Sequence, residues 1–427
     1  MVQSHWHIEG NCYEFDECFF AYHPGGKHML ELSRGLKDCT YLFRSYHGPS
    51  RKWSSIQCML QKYRVETCEH NDPSVDYSDT LYTELRAEVS GFFADKNLSY
   101  KCPYWLYPWY VLTSSMLGYG LYRWVTSPSI LSCVLLGFGM MYASVDILHC
   151  GTHYALFQDH AKNRFLSHVL GFWFVNPTAW IRQHVIGHHV DTNLEFDPDL
   201  YHFSLWSWMP HCFQAHVPDY GVRLRSEDTS WHYASYMVHS TMVLLSTIFP
   251  SLYESLQLLL TGKYLHLDTR ALYSVREHAL LLSHWSICVG TLIYVSCTHH
   301  VVYAVLPYFV SGILFYLLSQ VSHVNEASFP LGLETMPWSR RQILTAGGDY
   351  EYKSSLLWPI ISIGLNLQAV HHLFPSVHWI WYPHLVRRVY SVAGVSMDGI
   401  DKSYWTAFQQ HVHWLHVLNW STPKADR

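Results

Sequence analysis

"AWIRQHVIGHHVDTNLEFDPDL" (Ala179–Leu200) places three histidines, His184, His188 and His189, within six residues. Two further clusters flank it. "HCGTH" contributes His149 and His153, and "QAVHH" contributes Gln368, His371 and His372. Residues four apart share a helix face, so such a pair can grip one ion, or bridge two when it faces another pair. Neutral imidazole is a common ligand for iron, zinc, copper and nickel. Spacing alone proves little here, because the chain has 31 histidines. At that frequency chance supplies about two HxxxH pairs, which is what is found. The weight therefore falls on where the clusters sit and on what flanks them.

The chain has 427 residues, 49% hydrophobic, 16% aromatic and only 14% charged, with a net charge of −5. No basic stripe stands out, so nucleic acid is excluded as an expected partner. The 11 cysteines are scattered without a CxxC pair. Together with the lack of a secretory signal, this predicts reduced thiols and an amino terminus facing the cytosol. Residues 1–100 are mixed and polar. Beyond them lie charge-free runs of 21 residues (Lys101 to Arg123), 22 residues (Arg123 to Asp146) and 48 residues (Glu277 to Glu326). A spanning helix needs about 20 apolar residues. Four spans are expected, near 104–124, 128–147, 279–297 and 301–321, with Tyr and Trp crowding their ends as at a membrane interface. Residues 165–181 and 229–253 are expected to lie in the plane of the interface. This even count puts all three histidine clusters on one face of the bilayer, and His299 and His300 on the other.

Residues 20–47 read "FAYHPGGKHMLELSRGLKDCTYLFRSYH". His23 precedes two glycines, which let the backbone turn tightly against a flat ligand. His47 follows, flanked by Leu42 and Phe43. Two imidazoles entering an apolar slot from opposite sides suit six-coordinate haem iron, which passes electrons and does not bind oxygen. This stretch, with "HWHIEGNCYEF" (His5–Phe15), resembles cytochrome b5 over about residues 4–66. The resemblance implies a small α+β haem domain with His23 and His47 as axial ligands of haem b.

"LHCGTH", "WIRQHVIGHHVDTN" with "DPDL", and "GLNLQAVHHLFPSVHWIWYP" resemble the three histidine boxes of membrane fatty-acid desaturases. The nearest resemblance is to the front-end subgroup, which carries an amino-terminal cytochrome b5 domain and has Gln in place of the first His of its third box, as Gln368 is here. "SQVSHVNEASFP" (Ser319–Pro330) and "WSRRQILTAGGDY" (Trp338–Tyr350) resemble the stretch ahead of that box. The resemblance covers roughly residues 100–395. It implies that His149, His153, His184, His188, His189, His371 and His372 hold two non-haem irons. His323, near the end of the last span, is a further ligand candidate. Gln368 is expected to ligate weakly or hold a water on the metal. Two departures stand out. Cys150 replaces the family's usual Asp, and three residues rather than two separate His184 from His188. His378, His384, His299 and His300 are expected to be structural, Asp197 and Asp199 to fix their loop, and the Asn97 sequon to go unused.

The expected architecture is multi-domain. An α+β cytochrome b5-like unit (1–80) and a linker (81–100) precede an all-α membrane domain (101–400) with four spans and a cytosolic di-iron cap; a tail (401–427) follows. The expected activity is front-end desaturation of a long polyunsaturated acyl chain, carried as acyl-lipid or acyl-CoA. It uses O2 and electrons passed through the chain's own haem. The sequence has no Gly-rich dinucleotide fingerprint, so a separate NADH-cytochrome b5 reductase is the expected partner. The endoplasmic reticulum membrane is the expected location. A hydroxylase on the same scaffold and a tethered haem carrier with a dead metal site are the alternatives. A transporter with a proton relay fits less well, because relay residues lie inside spans.

Overall fold

The structure is a computed structural model. It describes residues 5–194 (without 35, 51, 70, 71, 73 and 74), Asp197, and residues 256–420 (without 257, 265, 266, 269–274, 331, 354–356 and 398–401). The interfacial segment expected at 229–253 and Asp199 therefore lie outside the described residues.

The amino-terminal unit is α+β. Strands β1 (Trp6–Ile8), β2 (Asn11–Tyr13) and β3 (Arg64–Glu69) form an antiparallel sheet in that order. Between β2 and β3 lie four short helices: α1 (Glu17–Tyr22), α2 (Gly26–Ser33), α3 (Thr40–His47) and α4 (Trp53–Gln61). Asp16 caps α1 by accepting from the Phe19 amide. Trp6, Phe15, Phe20, Phe43 and Leu60 fill the core between sheet and helices. Cys12 and Cys68 are joined in a disulfide across β2 and β3. This corrects the expectation of reduced thiols throughout. The two cysteines are 56 residues apart in sequence, and only strand pairing brings their Cα atoms to 5.7 Å. Cysteine usage consequently gives no support to a cytosol-facing amino terminus.

Residues 81–100 are no loose linker. Most of them lie in α5 (Thr80–Asp95), which is capped by Asp79 and buries Tyr82, Leu85, Val89, Phe92 and Phe93 in the main core. Asp79 also accepts from the Ser339 amide and hydroxyl, and so ties α5 to a distant segment.

Four long helices follow where the charge-free runs lie: α6 (Tyr107–Thr126), α7 (Ile130–Thr152), and then, beyond a shorter group described next, two more. Between them come α8 (His160–Leu170) and α9, which begins at Pro177–Trp180 and runs through π-helical Ile181–His188 into His189–Asp191. A two-stranded ribbon of β4 (Lys263–Tyr264) and β5 (Leu267–Asp268) precedes α10 (Val275–Thr298) and α11 (Val301–His323). Among the described residues α7, α10 and α11 are long and apolar enough to cross a membrane. The fourth expected span is helical over 20 residues as α6, but its Tyr- and Trp-rich sequence sets it apart from these three. Gly120 lies against Leu136 and Gly139 against Leu117, so α6 and α7 meet backbone to backbone, as small residues allow in membranes. α8 has only 11 residues and exposes Phe165 and Val169, which suits a surface helix rather than a span.

After α11 come α12 (Trp338–Leu344), α13 (Leu357–Ser362), α14 (Gln368–Leu373), α15 (Tyr382–Val392) and α16 (Tyr404–Trp420). The expected tail is thus a packed helix: Ala407, Phe408 and Val412 of α16 cluster with Tyr316, Val321 and Val324 at the end of α11. The histidine clusters sit at the carboxyl ends of α7 and α11 and in α9 and α14. His299 reaches the Val125 carbonyl at the opposite end of the helices.

Candidate metal centre

Local sequence fixes each histidine-bearing segment. α9 starts on Asn176, whose side chain accepts from the Thr178 and Ala179 amides, with Pro177 at its first position. Its widened π-helical turns carry His184 and His188, a distortion that recurs at functional sites. The six-residue α14 is anchored at its amino end by buried Asp349, which accepts from the Gln368 and Ala369 amides. Burial raises the Asp349 carboxyl to about 8, against the pull of those two amides and of Lys402. A second π-helical turn, Met140–Val145, precedes His149 in α7.

These segments bring all eight candidate metal histidines into one buried cluster. His149, His153, His184 and His371 form one group and His188, His323 and His372 a second; His189 joins His371 and His372 between them. Within each group the ligand-capable atoms lie within 4.8 Å of one another. His149 Nε2 is 2.9 Å from His371 Nε2, and His372 Nε2 is 3.2 Å from His323 Nε2. Two nitrogens bound to one ion at about 2.0–2.1 Å lie about 2.9 Å apart at right angles and about 3.4 Å apart at the tetrahedral angle. The observed separations fall in that range.

In four of these histidines the opposite ring nitrogen is engaged elsewhere. His188 Nδ1 meets both Asp197 carboxylate oxygens, at 2.9 and 3.0 Å. His371 Nδ1 meets the Tyr382 hydroxyl at 3.0 Å, His372 Nδ1 the Thr192 hydroxyl at 3.1 Å, and His153 Nδ1 the Tyr46 hydroxyl at 2.6 Å. Partners of this kind hold the rings and leave Nε2 for a metal. His153 Nε2 is buried and has no hydrogen-bond partner. Burial and the facing imidazoles push His153, His371 and His372 well below the usual histidine range, so they present neutral lone pairs. Aimed at one another without a cation, such lone pairs repel. The donor set, eight imidazoles and no thiolate, fits two first-row metal ions, iron among them.

Scanned with models of known families, residues 125–397 match that of the fatty acid desaturases. The chain belongs to the fatty acid desaturase family. Among curated proteins it is 26% identical to the acyl-lipid (8-3)-desaturase of Mortierella alpina, covering 96% of this chain and 93% of that one. It is 27% identical to the Delta(5) fatty acid desaturase A of Dictyostelium discoideum, over 96% and 89% of the two chains. It is 24% identical to the acyl-lipid omega-13 desaturase of Chlamydomonas reinhardtii, over 97% and 94%. The protein is therefore an oxidoreductase acting on fatty-acyl lipid in a membrane, and its buried histidine groups fit the non-haem di-iron site of such a desaturase.

Several residues depart from their sequence assignments. Gln368 opens α14, and its side-chain amide donates to the Leu365 carbonyl at 3.0 Å. Asp197 does more than fix a loop, since it grips His188. Cys150 is buried and donates to Asp146, one turn earlier on α7, at 3.2 Å. That carboxylate also accepts from the Trp379 indole. His378 is bonded to Tyr110 and caps the turn at Ile380. Tyr46, Thr192 and Tyr382 were not among the sequence candidates. Each lies in a different segment from the histidine it touches or, for Tyr382, on another element 11 residues away, so no local motif marks them.

The amino-terminal unit holds a second histidine pair. The His23 and His47 rings lie 6.0 Å apart between centroids. An iron held by two imidazoles, at about 2.0 Å with about 1.1 Å more to each ring centre, would set them about 6.2 Å apart. His47 Nδ1 is engaged with the Phe43 carbonyl, which leaves Nε2 for a ligand, and His23 Nδ1 is buried without a partner. Gly26 has φ +77°, and a Cβ there would strike the His160 ring at 2.7 Å. The glycine pair thus serves close packing against α8 as well as the turn. These residues fit an axial pair for haem.

Proposed function

We propose that this desaturase inserts a cis double bond between an existing double bond and the carboxyl end of a long polyunsaturated acyl chain. The observation that carries the reading is the convergence of His149, His153, His184, His188, His189, His323, His371 and His372 into one buried cluster with outward nitrogens held by Tyr46, Asp197, Thr192 and Tyr382. The acyl-lipid (8-3)- and (7-3)-desaturases and Delta(5) desaturases among its relatives support the front-end assignment.

Removing hydrogen from an unactivated methylene needs a strong one-electron oxidant, which two irons with O2 would supply. The chain's own residues hold and orient that centre. Haem b between His23 and His47 would deliver the electrons singly, refilled by a separate NADH-cytochrome b5 reductase. We place the protein in the endoplasmic reticulum membrane, with cluster and haem unit on the cytosolic face. Two facts support a shared face: the cluster lies at one end of the spans, and His28 of the haem unit pairs with Glu277 at that end of α10 at 2.9 Å.

The test is expression in a host without polyunsaturated acids, fed candidates in turn, with fatty-acid profiling. A product two hydrogens lighter, with the new bond on the carboxyl side, is expected. His188→Ala should abolish it while the haem spectrum persists. A product one oxygen heavier would make the protein a hydroxylase, and one with its bond on the methyl side would overturn the front-end reading.

A further inference from the structure

We propose that Tyr46 couples the two histidine sites, orienting His153 for its metal and carrying the electron path from His47 to it. This rests on the reading of both sites given above.

Tyr46 and His47 are neighbours on α3, so one peptide unit separates a candidate haem ligand from the phenol. The Tyr46 hydroxyl lies 2.6 Å from His153 Nδ1, with the two rings 22° from parallel and 6.0 Å apart between centroids. The other nitrogen of His153 is buried and unpartnered among His149, His184 and His371. A continuous chain of covalent bonds and one hydrogen bond therefore joins the two sites. Each end of the chain is an imidazole with one nitrogen left for iron.

The contact is held from several directions. Leu42 of α3 is buried against Ile181, Val185 and Ile186 of α9. The Tyr154 hydroxyl donates to the Gly25 carbonyl at 3.1 Å, and the Tyr154 ring meets Tyr46 edge on. His160 packs on Gly26, and His28 pairs with Glu277. The haem unit is thus seated directly over the second histidine box rather than trailing from a linker. The transfer itself is a one-electron exchange. Haem iron goes from ferrous to ferric and a non-haem iron from ferric to ferrous, with no bond made or broken and no proton required.

The test uses the full chain in nanodiscs, without substrate or O2. The haem Soret band and non-haem iron are measured first in the wild type. With the non-haem iron ferric, the haem is then photoreduced anaerobically and its reoxidation followed. Tyr46→Phe keeps the ring and removes only the hydroxyl. It is expected to slow internal reoxidation about tenfold or more, the scale on which losing such an orienting partner acts. Its Soret band and its reoxidation by added ferricyanide should be unchanged, and a chelator should strip its non-haem iron faster. Tyr46→Leu should be slowed at least as much; if that variant fails to bind haem, Tyr46→Phe decides alone. Internal reoxidation within twofold of wild type in Tyr46→Phe overturns the proposal. A wild type without a Soret band, or without non-haem iron, overturns it by a separate route, since the haem or the cluster reading then fails on its own measurement.

Discussion

Asp197 lies behind the candidate metal site and grips one of its histidines. Fully buried, its carboxylate takes His188 Nδ1 on both oxygens and the Asn193 amide on one. Asp197→Ala should cost about 10–100-fold in iron affinity, as is typical when a ligand's orienting partner is removed. A chelator titration of the purified chain checks this, and unchanged affinity would show that the carboxylate only shapes the loop. His323 makes a sharper case. It completes the group with His188 and His372 at the carboxyl end of α11. His323→Ala should leave about one non-haem iron per chain instead of two and remove desaturation, since the second group then keeps two of its three histidines. Two irons retained would assign His323 to helix-end bonding alone. The histidines themselves were legible from their flanks. Their partners were not, because Tyr46 lies 107 residues from His153 and Thr192 lies 180 from His372. Only the fold brings such pairs together.

At the scale of elements, the charge-free runs located the long helices well, because a run of 20 or so apolar residues has few other uses. The segments missed were amphipathic. In α5 the buried residues Tyr82, Leu85, Val89 and Phe92 recur every three or four positions behind an Asp79 cap, a helical stripe set among charges. In α16 the stripe of Ala407, Phe408 and Val412 is weaker still. The disulfide between β2 and β3 was illegible for a different reason, since pairing depends on register and not on spacing. Helix contact in the bundle can be tested at Gly139. A Cβ there would lie 2.7 Å from the Leu117 backbone, which cannot yield as a flexible side chain would. Gly139→Ala should destabilise the folded chain by about 1–3 kcal/mol, the usual cost of overpacking. Thermal unfolding in detergent reads this, and an unaltered midpoint would mean that α6 and α7 separate freely.

Across the whole molecule, the amino-terminal unit is joined to the membrane part by buried imidazoles as well as by apolar contact. Burial, with the neighbouring His47, pushes His23 down to about 3. Burial also lowers His47, and it lowers His28 despite its Glu277 partner. A free imidazole takes its proton near 6.5. Below that pH the unfolded or undocked chain binds protons that the folded, docked chain refuses. Stability is therefore fully present above about pH 6.5 and falls on acidification, by at most about 1.4 kcal/mol per pH unit for each such group. The haem-free chain should accordingly loosen its amino-terminal unit between pH 7 and pH 5, while the bundle, held by apolar contact, stays folded. Hydrogen exchange at residues 17–47 against residues 130–152 measures this directly. Lower protection at pH 5, relative to the intrinsic exchange rate at that pH, in the first segment alone is the expected result. Equal protection at both pH values would mean that these imidazoles are solvated in the docked state and that apolar contact alone seats the unit on the cluster.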